Sequence, residues 1–187
     1  MNFNEANYYM SVEDNGWKSK YSQVIRFDGI LNVIYQHASL YNIDTKNSTV
    51  LDIGCGNKSL EKYIPNTWKY TGIDKRSGTD VFNVDDEFLS TFDFRISSGG
   101  LSFFDYKTLM ELIDKLVKSM KKKCDGLIFN LLDEVGSEKV VEGLCLWDKS
   151  KIWSDLFNKY RLDNEYKLYL SDSYLPDKDF TIGIFKL

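Results

Sequence analysis

A chain of 187 residues that is 43% hydrophobic and 28% charged has the balance of a soluble globular protein, and its length fits one ordinary domain spanning residues 1–187. A net charge of −4 and a pI of about 5.1 argue against a duplex-DNA or tRNA binder, whose phosphate affinity needs a basic face. Cys55, Cys124 and Cys145 are odd in number and lack metal-ligand spacing, and His37 is the sole histidine. A His-based zinc site and a Ser–His–Asp triad are therefore set aside, and no metal is expected.

The first residues have no basic start and no apolar run. They read as neither signal peptide nor membrane span, which leaves the cytoplasm as the expected compartment. Residues 1–23 are polar and aromatic, with Tyr8, Tyr9, Trp17 and Tyr21, and read as a loosely structured arm or short helices. From Gln23 to Tyr41 apolar residues recur at helical spacing. A short strand follows at Thr49–Ile53, closed by Gly54-Cys55-Gly56. Ser59 to Ile64 reads as a helix ended by Pro65. Further strands are expected at 70–74, 80–84 and 92–97, then a helix from Tyr106 to Lys123 and a strand from Gly126 to Leu132. The lysines 115, 118, 121, 122 and 123 read as the solvated, dipole-complementing end of that helix. A helix at Lys149–Tyr160 precedes two tail strands, at 166–170 and 180–185, with Tyr174-Leu175-Pro176-Asp177 as the turn between them. That connection is too short for a helical crossover, so the pair should be antiparallel. Strands alternating with helices indicate an α/β sheet with helices on both faces.

Ligands of such sheets bind outside the carboxyl ends of the strands, where strand order reverses. This directs attention to the turns at 52–58, 74–80 and 97–104. In the first, glycines let backbone approach a ligand, and Asp52 at the strand end is placed to orient a ligand amine. In the second, Asp74 lies about 20 residues beyond Gly54, where a carboxylate accepts both hydroxyls of a ribose. Facing a cleft, Asp74 is expected to have no packing role, with a helix-cap or turn residue as its other reading.

These residues resemble the class I S-adenosylmethionine-dependent methyltransferases. Val50-Leu51-Asp52-Ile53-Gly54-Cys55-Gly56 resembles the first motif of that family, and Gly72-Ile73-Asp74 its second strand with the ribose-binding acid. Phe92–Gly99, Leu127–Asn130 and Asp179–Ile182 resemble its fourth, fifth and closing strands. Gly16-Trp17, Gln23 and Arg26-Phe27 resemble a leader of one poorly characterised bacterial branch. The resemblance implies a Rossmann-like seven-stranded sheet, mostly parallel, with an antiparallel last strand. It implies S-adenosyl-L-methionine as cofactor, with Gly54 and Gly56 under the methionine and ribose and Cys55 packed in the same turn. Asp74 would hold the ribose, Asn83 or Asp85 would contact adenine, and Ser98 and Gly99 would line the methyl. The sequence departs from the family's pattern at Lys58, where a third glycine is usual, and in the short link from Asp74 to Asp80.

Arg26 is a candidate for the cofactor carboxylate, and residues 1–23 for a lid. Trp17, Tyr8 and Tyr174 are candidates for substrate contact. A nicotinamide dehydrogenase is the rival enzyme, but its glycine fingerprint is broken by Ser59. A phosphate loop would need Gly directly before Lys58. A cofactor-binding protein without catalysis is the rival of another class. Pro65 and Pro176 are the only prolines, so neither the Pro-Pro-aromatic motif of amino methylation nor a Pro-Cys pair exists. A small-molecule acceptor is the leading choice. No residue announces itself as a general base; His37, Tyr8, Tyr9 and Asp93 are the titratable groups considered, with Asp93 read as structural.

Overall fold

A computed structural model describes residues 20–135, 143–161, 164–171 and 179–187. Six strands form one sheet: β1 (Thr49–Ile53), β2 (Lys69–Ile73), β3 (Phe94–Ser98), β4 (Gly126–Leu132), β5 (Tyr166–Ser171) and β6 (Asp179–Lys186). Their spatial order is β2-β1-β3-β4-β6-β5. The first four strands pair in parallel, and β6 runs antiparallel to both β4 and β5. Strand order reverses at β1, with β2 on one side and β3 on the other. That reversal fixes where a cleft opens.

The two-residue period of the strands sorts their side chains between two cores. On one face the long helix α1 (Lys20–Tyr41) sets Phe27, Ile30 and Ile34 against Val50, Phe94, Ile96, Ile128 and Phe185. On the other, α3 (Tyr106–Lys118) and α4 (Lys149–Tyr160) set Leu109, Leu112, Leu116, Ile152 and Leu156 against Leu51, Ile53, Leu127, Phe129 and Ile182. A fourth helix, α2 (Asp86–Leu89), of four residues, precedes β3. The last three helices start at aspartates whose carboxylates accept a backbone N–H: Asp85 from Phe88, Asp105 from Thr108 and Asp148 from Lys151. No helix among the described residues is long and apolar enough to cross a membrane.

Two expected elements take another form. Residues 80–84 are not a strand: Asp80 accepts the Phe82 N–H at 3.1 Å and folds Val81–Asn83 into a 3-10 turn. Lys115 Nζ then donates to the carbonyls of Val81, Phe82 and Val84 at 3.1, 2.9 and 2.6 Å. Carbonyls that a strand would offer to β2 are spent on an ammonium group, so the described sheet has six strands instead of seven. Lys115 is correspondingly a tether between two elements and not part of a solvated face. The helix expected at Ser59–Ile64 contracts to one 3-10 turn, Ser59–Lys62.

Candidate active site

A cleft of about 470 Å³ lies at the carboxyl ends of β1, β2, β3 and β4, where the strand order reverses. Its floor is the turn after β1. Gly54 has φ +75°, and a Cβ there would come within 3.2 Å of the Gly100 Cα. The N–H groups of Gly54 and Cys55 both donate to the Ile73 carbonyl, at 2.9 and 3.1 Å. The turn is thus clamped between the end of β2 and the turn after β3, and only glycine fits at 54. Lys58, at the position of the missing glycine, adopts a left-handed backbone with φ 63°.

Asp74 leaves the end of β2 into the cleft. One carboxylate oxygen accepts the Gly56 N–H at 2.9 Å, and the other accepts the Arg76 N–H at 2.8 Å and Arg76 Nε at 3.2 Å. Burial disfavours its charge, but Arg76 and the two N–H groups outweigh burial and hold the carboxyl below its ordinary value. Asp74 also caps the 3-10 turn Lys75–Ser77. It therefore has a structural duty as a turn cap as well as a place on the cleft wall. Asp52, 3% exposed, is the opposite case. Burial pushes its carboxyl up to about 7, the 2.7 Å bond from the Tyr70 hydroxyl opposes this, and the charge of Asp74 adds to it.

Across the cleft, Arg26 of α1 pairs through Nε with Asp179 at the start of β6, and both residues line the cleft. Ser98 and Gly99 follow β3, and the Gly99 N–H donates to Asn130 Oδ1 on β4 at 2.7 Å. Beyond them the wall is apolar, with Leu101, Phe103, Phe104, Leu131, Leu132 and Leu144. At the β2 side, Val81 and Phe82 form another apolar wall, the Phe82 ring meeting Phe104 edge-on at 5.5 Å.

The fold brings Arg26, Asp52, Gly54, Cys55, Gly56, Asp74 and Ser98 to one cleft. It does not bring Asn83 or Asp85 there. Once residues 80–84 form a turn, Asp80, Val81 and Phe82 face the cleft, while the Asp85 carboxylate caps α2. Trp17, Tyr8, Tyr9 and Tyr174 lie outside the described residues, as do residues 1–19 of the arm. His37 is remote from the cleft: its ring stacks on Phe185 at 4.0 Å and its Nδ1 meets the Tyr169 hydroxyl at 3.0 Å. Asp93 is structural, accepting from the Thr49 N–H and hydroxyl and from Lys122. The Cys55 thiol packs on β2, since a Cβ at Gly72 would sit 2.8 Å from its sulfur. Burial, with Asp52 and Asp74 adding, pushes it up to about 11, which makes it a poor nucleophile. Among the described residues no group of three or more His, Cys, Asp or Glu side chains is placed to hold a metal ion.

Sequence reasoning missed Asp80, Asn130 and Asp179 as cleft residues. Asp80 had a signal, since an Asp two residues before an N–H donor favours a turn over a strand. Asp179 and Asn130 had none, because their partners, Arg26 and Gly99, are 153 and 31 residues away.

No protein-family model matches the sequence, and no curated protein matches it either. Solved structures do. The plantazolicin methyltransferase BpumL, in complex with a triazolic desmethylPZN analog and SAH, superposes with a TM-score of 0.64 at 11% identity, over 97% of this chain and 94% of that one. A S-adenosylmethionine-dependent methyltransferase from Clostridium acetobutylicum ATCC 824 gives 0.61 at 12% identity, over 95% and 96%. Magnesium protoporphyrin IX methyltransferase from Synechocystis PCC 6803, with bound SAM, gives 0.58 at 13% identity, over 97% and 94%. At such identities these likenesses show the fold, which is that of the class I S-adenosylmethionine-dependent methyltransferases.

Proposed function

We propose that this protein binds S-adenosylmethionine in the cleft at the carboxyl ends of β1 and β2 and transfers its methyl group to a small acceptor held over β3 and β4. The observation that carries the reading is Asp74: a carboxylate fixed by the Gly56 and Arg76 N–H groups, directly beside a turn in which Gly54 has a left-handed backbone and lies close against Gly100. The residues present fit the cofactor in charge as well as shape. Asp74 offers lone pairs to two ribose hydroxyls, Asp52 offers a buried carboxylate to the amino group, and Arg26 offers a guanidinium to the carboxylate. Val81 and Phe82 supply an apolar wall for the purine, with Asp80 beside them to accept from its amine. The 470 Å³ cleft is of ordinary size for a small ligand and leaves its β4 side for the acceptor.

S-adenosylmethionine supplies a methyl group on a sulfonium, already activated for in-line displacement. The chain's own contribution is to hold the acceptor in line and to exclude water, and positioning of this kind is a large part of such a barrier. The apolar wall of Leu101, Leu131, Leu132 and Leu144 does the excluding on one side. On the other, residues 1–19 are proposed as a cover, because α1, which carries Arg26 to the cleft, follows them directly and takes up residues 20–23 of the expected arm. An acceptor that arrives protonated gives its proton to solvent, and one that arrives deprotonated needs no base, since His37 stacks on Phe185 away from the cleft and Asp93 is tied to Thr49.

Calorimetry with S-adenosylhomocysteine should show one site per chain, and transfer of label from methyl-tritiated S-adenosylmethionine should separate an enzyme from a cofactor-binding protein. Asp74→Ala should weaken S-adenosylhomocysteine at least tenfold and, through the lost turn cap, cost about 1 kcal/mol in a urea melt. Unchanged affinity in that variant, or NAD binding with no signal from either adenosyl compound, sinks the reading. A chain lacking residues 1–19 should keep the calorimetric site and lose label transfer; retained transfer rejects the cover.

A further inference from the structure

Asn130 stands on β4 directly opposite Ser98 in the register with β3. It is 2% exposed and lines the cleft. Its side-chain oxygen accepts the Gly99 N–H. An N–H can be met only by the oxygen of an amide, so this bond settles the amide's orientation and turns the NH2 end away from Gly99. That NH2 has no acceptor, and the Ser98 hydroxyl beside it has no partner either. Both polar atoms are buried. A buried donor left unmet is costly, and pairs of this kind at a cleft wall mark a place reserved for a ligand atom.

The missing atom is not part of the cofactor's proposed contacts. The cofactor's polar contacts are proposed over β1 and β2, at Gly54, Gly56 and Asp74, with Ser98 lining only its methyl, whereas Asn130 is on the far side of β3. Past Asn130 the wall is Leu101, Leu131, Leu132, Leu144 and Phe104. A planar oxygen with two in-plane lone pairs can take the Asn130 N–H and the Ser98 O–H together. We propose that Asn130 and Ser98 form a receptor for a carbonyl or carboxylate oxygen on an otherwise apolar methyl acceptor. The proposal rests on the assignment of the β1–β2 half of the cleft to S-adenosylmethionine. It names the substrate class: an apolar, ring-sized molecule that is steered by one sp2 oxygen.

The experiment uses the full chain saturated with S-adenosylhomocysteine and three probes of nearly equal shape: acetophenone, benzoate and the oxygen-free α-methylstyrene. Each is titrated while the side-chain amide resonances of Asn130 are followed by NMR. The signals are assigned from their loss in Asn130→Asp. Acetophenone should bind about tenfold tighter than α-methylstyrene, the worth of one hydrogen bond to a buried donor, and should shift the Asn130 amide protons where α-methylstyrene does not. Benzoate shifting them as well identifies a carboxylate as acceptable; a shift from acetophenone alone narrows the class to neutral carbonyls. In Asn130→Asp the Gly99 bond has an oxygen but the NH2 is gone, so the preference for acetophenone should vanish. Equal binding of acetophenone and α-methylstyrene, binding of none of the probes, or an oxygen preference that survives in Asn130→Asp overturns the proposal. Should that variant not fold, the wild-type amide shifts decide alone. Calorimetric binding of S-adenosylhomocysteine with no oxygen preference rejects this inference only. Oxygen preference without S-adenosylhomocysteine binding rejects the cofactor assignment only.

Discussion

Asp52 and Asp74 share one cleft wall and have their carboxyls shifted in opposite directions. Asp74 is stabilised as a carboxylate by Arg76 and two backbone N–H groups, whereas Asp52 is pushed up to about 7 by burial. An ammonium group placed against Asp52 restores its charge, so binding such a ligand releases the proton that Asp52 carries below neutrality. Affinity for S-adenosylhomocysteine, which has an amino group, should therefore rise between pH 6 and 7.5 and level off above. Affinity for 5′-methylthioadenosine, which lacks the amino-acid portion, should stay flat. Calorimetry of both compounds across that range checks the assignment, and parallel pH profiles reject it. Cys55 and Tyr70, the neighbouring titratable groups, are both pushed upward and hold their protons throughout this range.

At the level of elements, the site is built by turns more than by helices. The segment after β1 is a single 3-10 turn, Ser59–Lys62, entered through the left-handed Lys58. A left-handed backbone costs a residue with a Cβ about 1 kcal/mol, which glycine avoids. Lys58 is exposed at this turn, so Lys58→Gly should raise the urea unfolding midpoint by the equivalent of roughly 0.5–1 kcal/mol. A lower midpoint would mean that the Lys58 side chain contributes more than its backbone costs. The turn at Val81–Asn83 is a second example, held by three carbonyl bonds from Lys115 of α3. Through that lysine the far helix sets the position of Val81 and Phe82 on the cleft wall.

For the whole molecule, two buried groups, His37 on α1 and Asp52 on β1, set opposing responses to acid. His37 is driven down to about 4 by burial, with Lys167 adding, so its native state binds fewer protons than the unfolded chain. Its contribution is complete above its ordinary value of 6.5 and is lost as pH falls toward 4. Asp52 is raised, so its native state binds more protons, and its contribution grows as pH falls from about 7 toward 3.8. The two trends offset each other between about pH 4 and 6.5. The urea midpoint of the parent should therefore vary little across that window. Asp52→Asn, which keeps an oxygen for the Tyr70 hydroxyl, should expose the His37 trend and lose stability on acidification. A flat profile in that variant shows that His37 carries no such penalty. The Arg26–Asp179 pair belongs to this scale too, since it joins the first described helix to the last strand across one rim of the cleft.

What the amino-acid order decided by itself is the part governed by short-range rules. The alternation of Val50, Leu51 and Ile53, the glycines closing β1, the carboxylate at the end of β2 and the 3.6-residue period of α3 each lie within one element or one turn. They made the α/β class, the antiparallel tail and the positions of Gly54, Gly56, Asp52 and Asp74 legible. What only the tertiary structure decided depends on partners far apart in the chain. Residues 80–84 have the composition of a strand, and it is Lys115, more than 30 residues on, that takes their carbonyls and leaves the described sheet with six strands. That turn put Asp80, Val81 and Phe82 on the cleft wall in place of Asn83 and Asp85. Likewise Arg26 met Asp179, and Asn130 met Gly99, through contacts between different strands and helices. Local periodicity encodes which face of an element is buried; it carries no record of which distant donor reaches a given acceptor, and at this cleft those long-range hydrogen bonds place the chemistry.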